Sequence, residues 1–136
     1  MSTFNVLVVD DDEAIRALLL EYLGQQSHVS VDAARDGVEA LHQIALHRYR
    51  VIVLDVVMPK MSGVDLLNSL EAMMNDESLP SFEYPPVVLV ITATPASELP
   101  RESLEGRYPT LVHAVFRKPL DVAQLGTTVR QFVGSA

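Results

Sequence analysis

Three short runs of almost uninterrupted apolar residues constrain the fold of this chain more than any other feature. They cover residues 4–9, 51–54 and 87–91, and Val, Leu and Ile make up most of them. Runs of this length and composition are typical of strands that are buried on both faces, as in parallel sheets. Two weaker strands are predicted, over residues 29–33 from their alternation and over residues 112–116.

Apolar residues at helical spacing follow the strands and predict amphipathic helices between them. Those expected to face inward are Ile15, Leu18, Leu19, Tyr22 and Leu23, then Val38, Leu41, Ile44 and Ala45, then Leu66, Leu67, Leu70, Met73 and Met74, and finally Val122, Leu125, Val129, Phe132 and Val133. Asp36-Gly37, Ser62-Gly63 and Asp121 are expected to begin the second, third and last helices. Five strands alternating with about five helices predict an α/β fold with a parallel sheet.

Two stretches rich in proline interrupt this alternation, at residues 75–86 and 95–109. The second lies where the fourth helix is expected and contains Pro95, Pro100, Gly106 and Pro109. Proline inside a helix removes a backbone hydrogen bond and clashes with the preceding turn. We therefore expect a fourth helix that is short, bent or missing.

Length and composition limit the possible classes of protein. The 136 residues with 49% hydrophobic content predict one domain over residues 1–136, with residues 134–136 as a tail or the start of a linker. Because there is no cysteine, disulfides and thiolate zinc sites are excluded. A net charge of -8 argues against direct binding of nucleic acid. Neither a leader nor a membrane span is apparent, so a soluble, cytoplasmic protein is expected.

Polar residues cluster at the predicted carboxyl ends of four strands. Asp10 to Asp12 follow the first strand, Asp55 follows the third, Thr92 ends the fourth and Lys118 comes after the fifth. Ligands of alternating α/β sheets bind outside the carboxyl ends of the strands. These residues are therefore the candidates for a functional site.

The acidic residues admit two interpretations. Asp10, Asp11 and Asp55 would repel one another unless a cation lay among them, and Mg²⁺ accepts carboxylates while keeping waters that a phosphate can replace. In the other interpretation the acidic run caps the following helix and complements its dipole. The sequence pattern by itself leaves both open.

Phosphoryl chemistry is the reaction that these residue types favour when they are taken together. The Asp55 carboxylate could act as a nucleophile toward phosphorus if a metal neutralised the incoming charge. The Thr92 hydroxyl and the Lys118 ammonium could then contact the phosphoryl oxygens. Taken singly, each has an ordinary structural alternative, as a turn residue, a strand-end hydroxyl or a surface lysine.

The motifs around these residues resemble those of a known family. They are Val8-Val9-Asp10-Asp11-Asp12, Leu54-Asp55-Val56-Val57-Met58-Pro59 with Ser62-Gly63, Thr92-Ala93 and Lys118-Pro119. In this order they resemble the signatures of response-regulator receiver domains, over nearly the whole chain. The resemblance implies a flavodoxin-like five-stranded parallel sheet of order 2-1-3-4-5, with helices on both faces and a cis peptide before Pro119.

The resemblance also implies roles for the site residues. Asp11, Asp55 and the backbone carbonyl of Val57 would ligate Mg²⁺, with Asp10 helping through water. Asp55 would accept a phosphoryl group from a phosphohistidine, and Thr92 and Lys118 would hold its oxygens. The implied partners are a sensor histidine kinase or phosphotransfer protein and an output partner that the motifs do not specify. Such a domain assists its own phosphorylation and dephosphorylation without being a conventional enzyme.

One departure from the family pattern affects the expected signalling. Three residues before Lys118, where the family usually has an aromatic that moves with the phosphorylated state, this chain has Val115, followed by Phe116. We therefore expect intact chemistry and an altered coupling of Thr92 to the output surface.

Two alternatives to a phosphorylated switch remain. A receiver-like docking module that is never phosphorylated could carry the same motifs, and Val115 is compatible with it. A haloacid-dehalogenase-like phosphatase also forms an aspartyl phosphate with Mg²⁺. Such a phosphatase normally has a second Asp two residues after the nucleophile, where this chain has Val57.

Overall fold

The computed structural model describes residues 4–26, 28–58, 62–76 and 86–133, and the strands within them form one parallel sheet. The strands are β1 (Phe4–Val9), β2 (Val29–Ala34), β3 (Val51–Asp55), β4 (Val87–Thr92) and β5 (Val112–Arg117). The helices are α1 (Glu13–Gly24), α2 (Gly37–Leu46), α3 (Gly63–Asn75), α4 (Arg101–Arg107) and α5 (Val122–Val133). The strand order is β2-β1-β3-β4-β5, which confirms the predicted flavodoxin-like topology.

The continuous apolar strands are explained by two separate cores, one on each face of the sheet. Alternate residues of β1, β3 and β4 point to opposite faces, so both sets must be apolar. Leu7, Ile52 and Val90 pack with α2, α3 and α4, whereas Val8 and Leu89 pack with α1 and α5. Helices therefore cover both faces, and the carboxyl ends of the strands share one edge.

Side-chain caps begin three helices where the sequence predicted them. Asp36 accepts a hydrogen bond from the Glu39 backbone N–H (2.9 Å) at the start of α2. Ser62 and Asp65 form a reciprocal capping box at α3. Asp121 accepts one from the Gln124 N–H (3.1 Å) at α5.

Some residues expected to face the core are exposed. Leu18 is 45% exposed and Val38 is 55% exposed, and Ala45 is exposed as well. The buried line of α1 passes through Leu19 and Leu23, and a residue one position away is rotated by about 100° from that line. The inward assignment of Leu18, Val38 and Ala45 was therefore wrong.

The fourth helix is short, as the prolines predicted. It has seven residues, and Pro100 at its N-cap offers no side-chain hydrogen bond. Its carboxyl end is anchored by Tyr108, which is buried and whose hydroxyl group is hydrogen-bonded to Asn68 of α3. The Lys118–Pro119 peptide is cis, as the resemblance implied. Residues 59–61, 77–85 and 134–136 lie outside the described ranges, so the expectations for the first proline-rich stretch (residues 75–86) and for the tail stay predictions.

Among the helices in the described ranges, none is long and apolar enough to span a bilayer.

Candidate functional site

The predicted site residues meet at the carboxyl edge of the sheet. Asp10 directly follows β1, Asp55 and Thr92 are the last residues of β3 and β4, and Lys118 directly follows β5. Asp10 and Thr92 are 0% exposed and Asp55 is 4% exposed. Burial of two carboxyl groups and a hydroxyl group requires nearby partners, because unpaired polar groups are costly to remove from water.

Lys118 provides the positive charge for these carboxylates. Its Nζ lies 3.0 Å from Asp10 Oδ2 and 3.3 Å from Asp55 Oδ2. Its backbone N–H donates to the Thr92 carbonyl (2.8 Å), which ties the end of β5 to the end of β4. Burial alone lowers the pKa of the Lys118 ammonium, but its ion pairs with Asp10 and Asp55 outweigh this effect and raise the pKa. Lys118 therefore stays charged.

The three acids that follow β1 differ in their contacts. Asp12 caps α1, because its side chain accepts hydrogen bonds from the Ala14 and Ile15 backbone N–H groups (2.9 and 3.3 Å). Asp10 points into the site, and its Oδ1 accepts the Asp12 N–H (2.9 Å). Asp11 is exposed. Capping accounts for one of the three acids.

Asp10, Asp11 and Asp55 form a group whose nearest carboxylate oxygens all lie within 4.8 Å of one another. The buried Asp10 Oδ2 is paired with the Lys118 ammonium at 3.0 Å. Each carboxylate oxygen has two lone pairs, so three carboxylates grouped this closely are a donor set that suits a hard divalent cation such as Mg²⁺. The three predicted metal-binding carboxylates are thus brought together, and metal binding by them and by the Val57 carbonyl stays a prediction.

Asp55 is the central residue of the site. Its Oδ1 accepts the Val57 backbone N–H (3.0 Å), and its Oδ2 faces Lys118. Burial raises the pKa of the Asp55 carboxyl to about 6, the Asp10 charge adds to this rise, and the Val57 N–H and the Lys118 ammonium oppose it. The ionised carboxylate form of Asp55 therefore predominates only above about pH 6 in the absence of a cation.

Thr92 is held in one orientation by its neighbours. Its Oγ1 accepts a hydrogen bond from the Thr94 backbone N–H (3.0 Å). Because this bond uses a lone pair, the hydroxyl proton is available to an acceptor in the site. Val57 extends a largely exposed side chain (63%) next to Asp55.

Sequence reasoning missed two arginines near the site. Arg16 of α1 donates from Nη1 to the Asp10 carbonyl (2.8 Å), which holds the start of the acidic run. Its position one turn into α1 could have predicted this, because helical side chains lean toward the helix N-terminus. Arg117 donates to the carbonyls of Thr94 and Leu99. No local pattern indicates that contact, because it depends on strand register.

Comparison with known proteins identifies relatives of this chain. The family described as the response regulator receiver domain matches residues 6–130. The response regulator MprA of Mycobacterium sp. (strain KMS) is 42% identical over 88 residues, which are 65% of this chain and 34% of that protein. The chain therefore spans about a third of the length of the curated relatives it matches.

Solved structures share the fold. The receiver domain of Francisella response regulator 1452 superimposes with a TM-score of 0.77 at 26% identity, covering 96% of each chain. The receiver domain of the Saccharomyces cerevisiae response regulator Ssk1, solved with the histidine phosphotransfer protein Ypd1, has a TM-score of 0.79 at 20% identity and covers 97% of this chain and 90% of that chain. The second similarity concerns the fold alone.

Proposed function

Because this chain belongs to the response regulator receiver domain family of two-component signalling, we propose that it is a switch that accepts a phosphoryl group on Asp55. The arrangement around Asp55 carries the proposal. A buried carboxylate lies beside Asp10, Asp11 and the Lys118 ammonium, with one oxygen held by the Val57 N–H. This combination suits a nucleophile toward a dianionic phosphoryl group better than a structural ion pair.

The proposed transfer takes the phosphoryl group from a phosphohistidine. An Asp55 carboxylate oxygen attacks phosphorus, the phosphorus–nitrogen bond breaks, and the imidazole nitrogen leaves with the electron pair and is then protonated. An acyl phosphate results. Lys118 pairs with the phosphoryl oxygens in place of part of its contact with Asp55, and the Thr92 hydroxyl donates to another oxygen.

Mg²⁺ fits the acidic group, and Asp11, Asp55 and the Val57 carbonyl would hold it, with Asp10 assisting through water. When bound, Mg²⁺ would neutralise negative charge that develops at the site during phosphoryl transfer. We further propose that the domain is a phosphoacceptor, which assists its own phosphorylation and dephosphorylation, and not an enzyme that acts on a separate substrate.

A sensor histidine kinase or a phosphotransfer protein is the proposed donor. The yeast Ssk1 receiver domain was solved together with such a phosphotransfer protein, which supports a partner of this class. The excess of acidic over basic residues supports an output through a protein partner, without direct contact to nucleic acid. The cytoplasmic location stays a prediction.

Binding of beryllofluoride in the presence of Mg²⁺ tests the proposal. Beryllofluoride mimics the phosphoryl group on a carboxylate, so amide resonances of Val57, Thr92 and Thr94 should show a further, saturable shift when it is added to the chain in Mg²⁺. A docking module that is never phosphorylated would show no saturable shift. A phosphatase would in addition release phosphate continuously from a small phosphate ester.

Mg²⁺ alone should stabilise the folded chain. At a concentration tenfold above the dissociation constant, mass action adds about 1.4 kcal/mol to the free energy of unfolding. Asp11→Ala should remove most of this gain, because Asp11 belongs to the acidic group. The measurement is thermal unfolding with and without Mg²⁺. Asp12→Ala is the matched control: it loses a helix cap, about 1 kcal/mol, but should keep the Mg²⁺ response.

The Mg²⁺ response should also depend on pH. The folded-state pKa of Asp55, about 6, lies above its ordinary value of 3.8, so protons compete with the cation and the Mg²⁺ gain should shrink as pH falls through about 6. Without Mg²⁺ the free energy of unfolding depends on pH in the opposite direction. Protonation of Asp55 then favours the folded state, and this contribution to stability is lost as pH rises through about 6. A Mg²⁺ gain that stays constant from pH 5 to pH 7 would contradict the assignment of Asp55 to the metal group.

The phosphorylated state should be long-lived, because Val57 cannot orient a water molecule for hydrolysis. Val57→Asn places an amide next to Asp55 that can orient a water molecule, and it should shorten the half-life of the acyl phosphate by about tenfold. This is a small part of the rate enhancement that positioning a reactant can give. The half-life is measured by loss of the phosphoryl mass after the donor is removed. Val38→Asn changes a similarly exposed valine on α2 and should leave the half-life as it is. An unchanged or longer half-life in Val57→Asn would count against the argument.

A further inference from the structure

Arg117 clamps the segment between β4 and α4 by its guanidinium group. Nη1 donates to the Thr94 carbonyl (2.9 Å), and Nη2 donates to the Leu99 carbonyl (2.6 Å). Two backbone carbonyls, five residues apart in the chain, are thereby held by one rigid planar group. Because the guanidinium is charged and partly buried, each of these bonds is stronger than one between neutral groups.

The clamp is linked directly to the phosphorylation site proposed above. The Thr94 N–H donates to Thr92 Oγ1 (3.0 Å), while the Thr94 carbonyl accepts from Arg117. Arg117 is also the residue paired with Thr92 in the β4–β5 register, and the next residue, Lys118, donates its N–H to the Thr92 carbonyl. A continuous set of hydrogen bonds therefore runs from the Thr92 hydroxyl through Thr94 and Arg117 to Leu99.

The far end of this path is the start of α4. The Leu99 N–H donates to the Pro95 carbonyl (2.9 Å), its side chain packs partly buried against the core, and α4 begins two residues later. The other end of α4 is fixed to α3 by Tyr108. A shift at Leu99 would therefore reorient a seven-residue helix about its fixed end.

We propose that Arg117 is the residue that couples occupancy of Asp55 to the position of the start of α4. The coupling rests on the proposed function, since it begins when the Thr92 hydroxyl moves toward a phosphoryl oxygen. Because the Thr94 N–H is hydrogen-bonded to the Thr92 hydroxyl, that movement displaces the Thr94 peptide. The carbonyl of Thr94 accepts a hydrogen bond from Arg117, so the guanidinium is displaced as well. Because the same guanidinium also holds the Leu99 carbonyl, the displacement passes to Leu99. Val115 is small and stiff about its first torsion, so it does not supply such a coupling.

Hydrogen exchange with and without saturating beryllofluoride and Mg²⁺ tests the coupling. In the parent chain, occupancy of Asp55 should change the hydrogen-exchange rates of the Leu99 and Ser103 amides by about tenfold or more. A change of this size corresponds to the gain or loss of one hydrogen bond from a charged donor. In Arg117→Met this change should fall below about threefold, while the Val57 amide still reports a saturated site. Arg117→Lys keeps the charge without the planar fork and should behave like Arg117→Met. Arg101→Met, which alters an exposed arginine of α4, is the control and should respond like the parent.

The possible results separate the coupling from the function on which it rests. If beryllofluoride fails to bind the parent, the proposed function falls and the coupling falls with it. If it saturates the site and Leu99 and Ser103 respond equally in the parent and in Arg117→Met, only the coupling is overturned. Should both Arg117 variants fail to fold, the guanidinium NMR signals of Arg117 in the parent decide: they should shift on occupancy, and unchanged signals overturn the coupling.

Discussion

Replacing Asp55 with Asn is expected to abolish phosphorylation of this chain, lowering it by at least about a hundredfold. An amide is a poor nucleophile toward phosphorus, and the substitution also removes one carboxylate from the acidic group. The measurement is mass spectrometry after incubation with acetyl phosphate and Mg²⁺, in which the parent should gain one phosphoryl group.

Asp12→Asn is the matched control for this substitution. It removes a carboxylate from the same edge of the sheet, but Asn still caps α1 and Asp12 lies outside the acidic group. This variant should be labelled like the parent. Labelling of Asp55→Asn at the parental level would show that Asp55 is not the phosphoacceptor.

Gly63→Ala should strongly destabilise the fold, by about 3 kcal/mol. Gly63 is the first residue of α3, and a Cβ at this position would lie 2.5 Å from the Val56 Cα and 2.7 Å from the Asp55 carbonyl oxygen. Both are backbone atoms, so the added methyl group cannot be relieved by a rotamer change. Either α3 or the end of β3 has to move.

Urea unfolding at a fixed concentration of Mg²⁺ measures this effect as a fall of the midpoint. Gly106→Ala is the control, because a Cβ there meets no atom within 4 Å and Gly106 lies in α4. Helix propensity predicts no loss, or a gain of up to about 1 kcal/mol, for that change. Equal effects of the two substitutions would show that the close approach of Gly63 to β3 is not what requires glycine.

Much of the fold could be predicted from the sequence because its signals are local. The buried strands appear as short runs of Val, Leu and Ile, since residues on both faces of β1, β3 and β4 lie in a core. The clustering of Asp10, Asp55, Thr92 and Lys118 could be predicted because these residues end or follow strands, and parallel strands bring these ends to one edge. The proline pattern likewise predicted the shortness of α4.

Properties that depend on contacts between distant residues required the tertiary structure. Only the structure showed that Asp12 caps α1 while Asp10 is paired with Lys118, because both are acids in the same run and differ in what surrounds them. The raised pKa of Asp55 results from burial and from the neighbouring Asp10 charge, which a strand-end position does not specify.

The contacts of Arg117 are the clearest example of a property that the sequence did not predict. Its guanidinium meets the carbonyls of Thr94 and Leu99 because β4 and β5 pair with Thr92 opposite Arg117. Periodicity and spacing report which face of an element is apolar and where the element ends. They carry no information about which backbone carbonyls a long side chain reaches, since that is decided by strand register and by the path of the segment between β4 and α4.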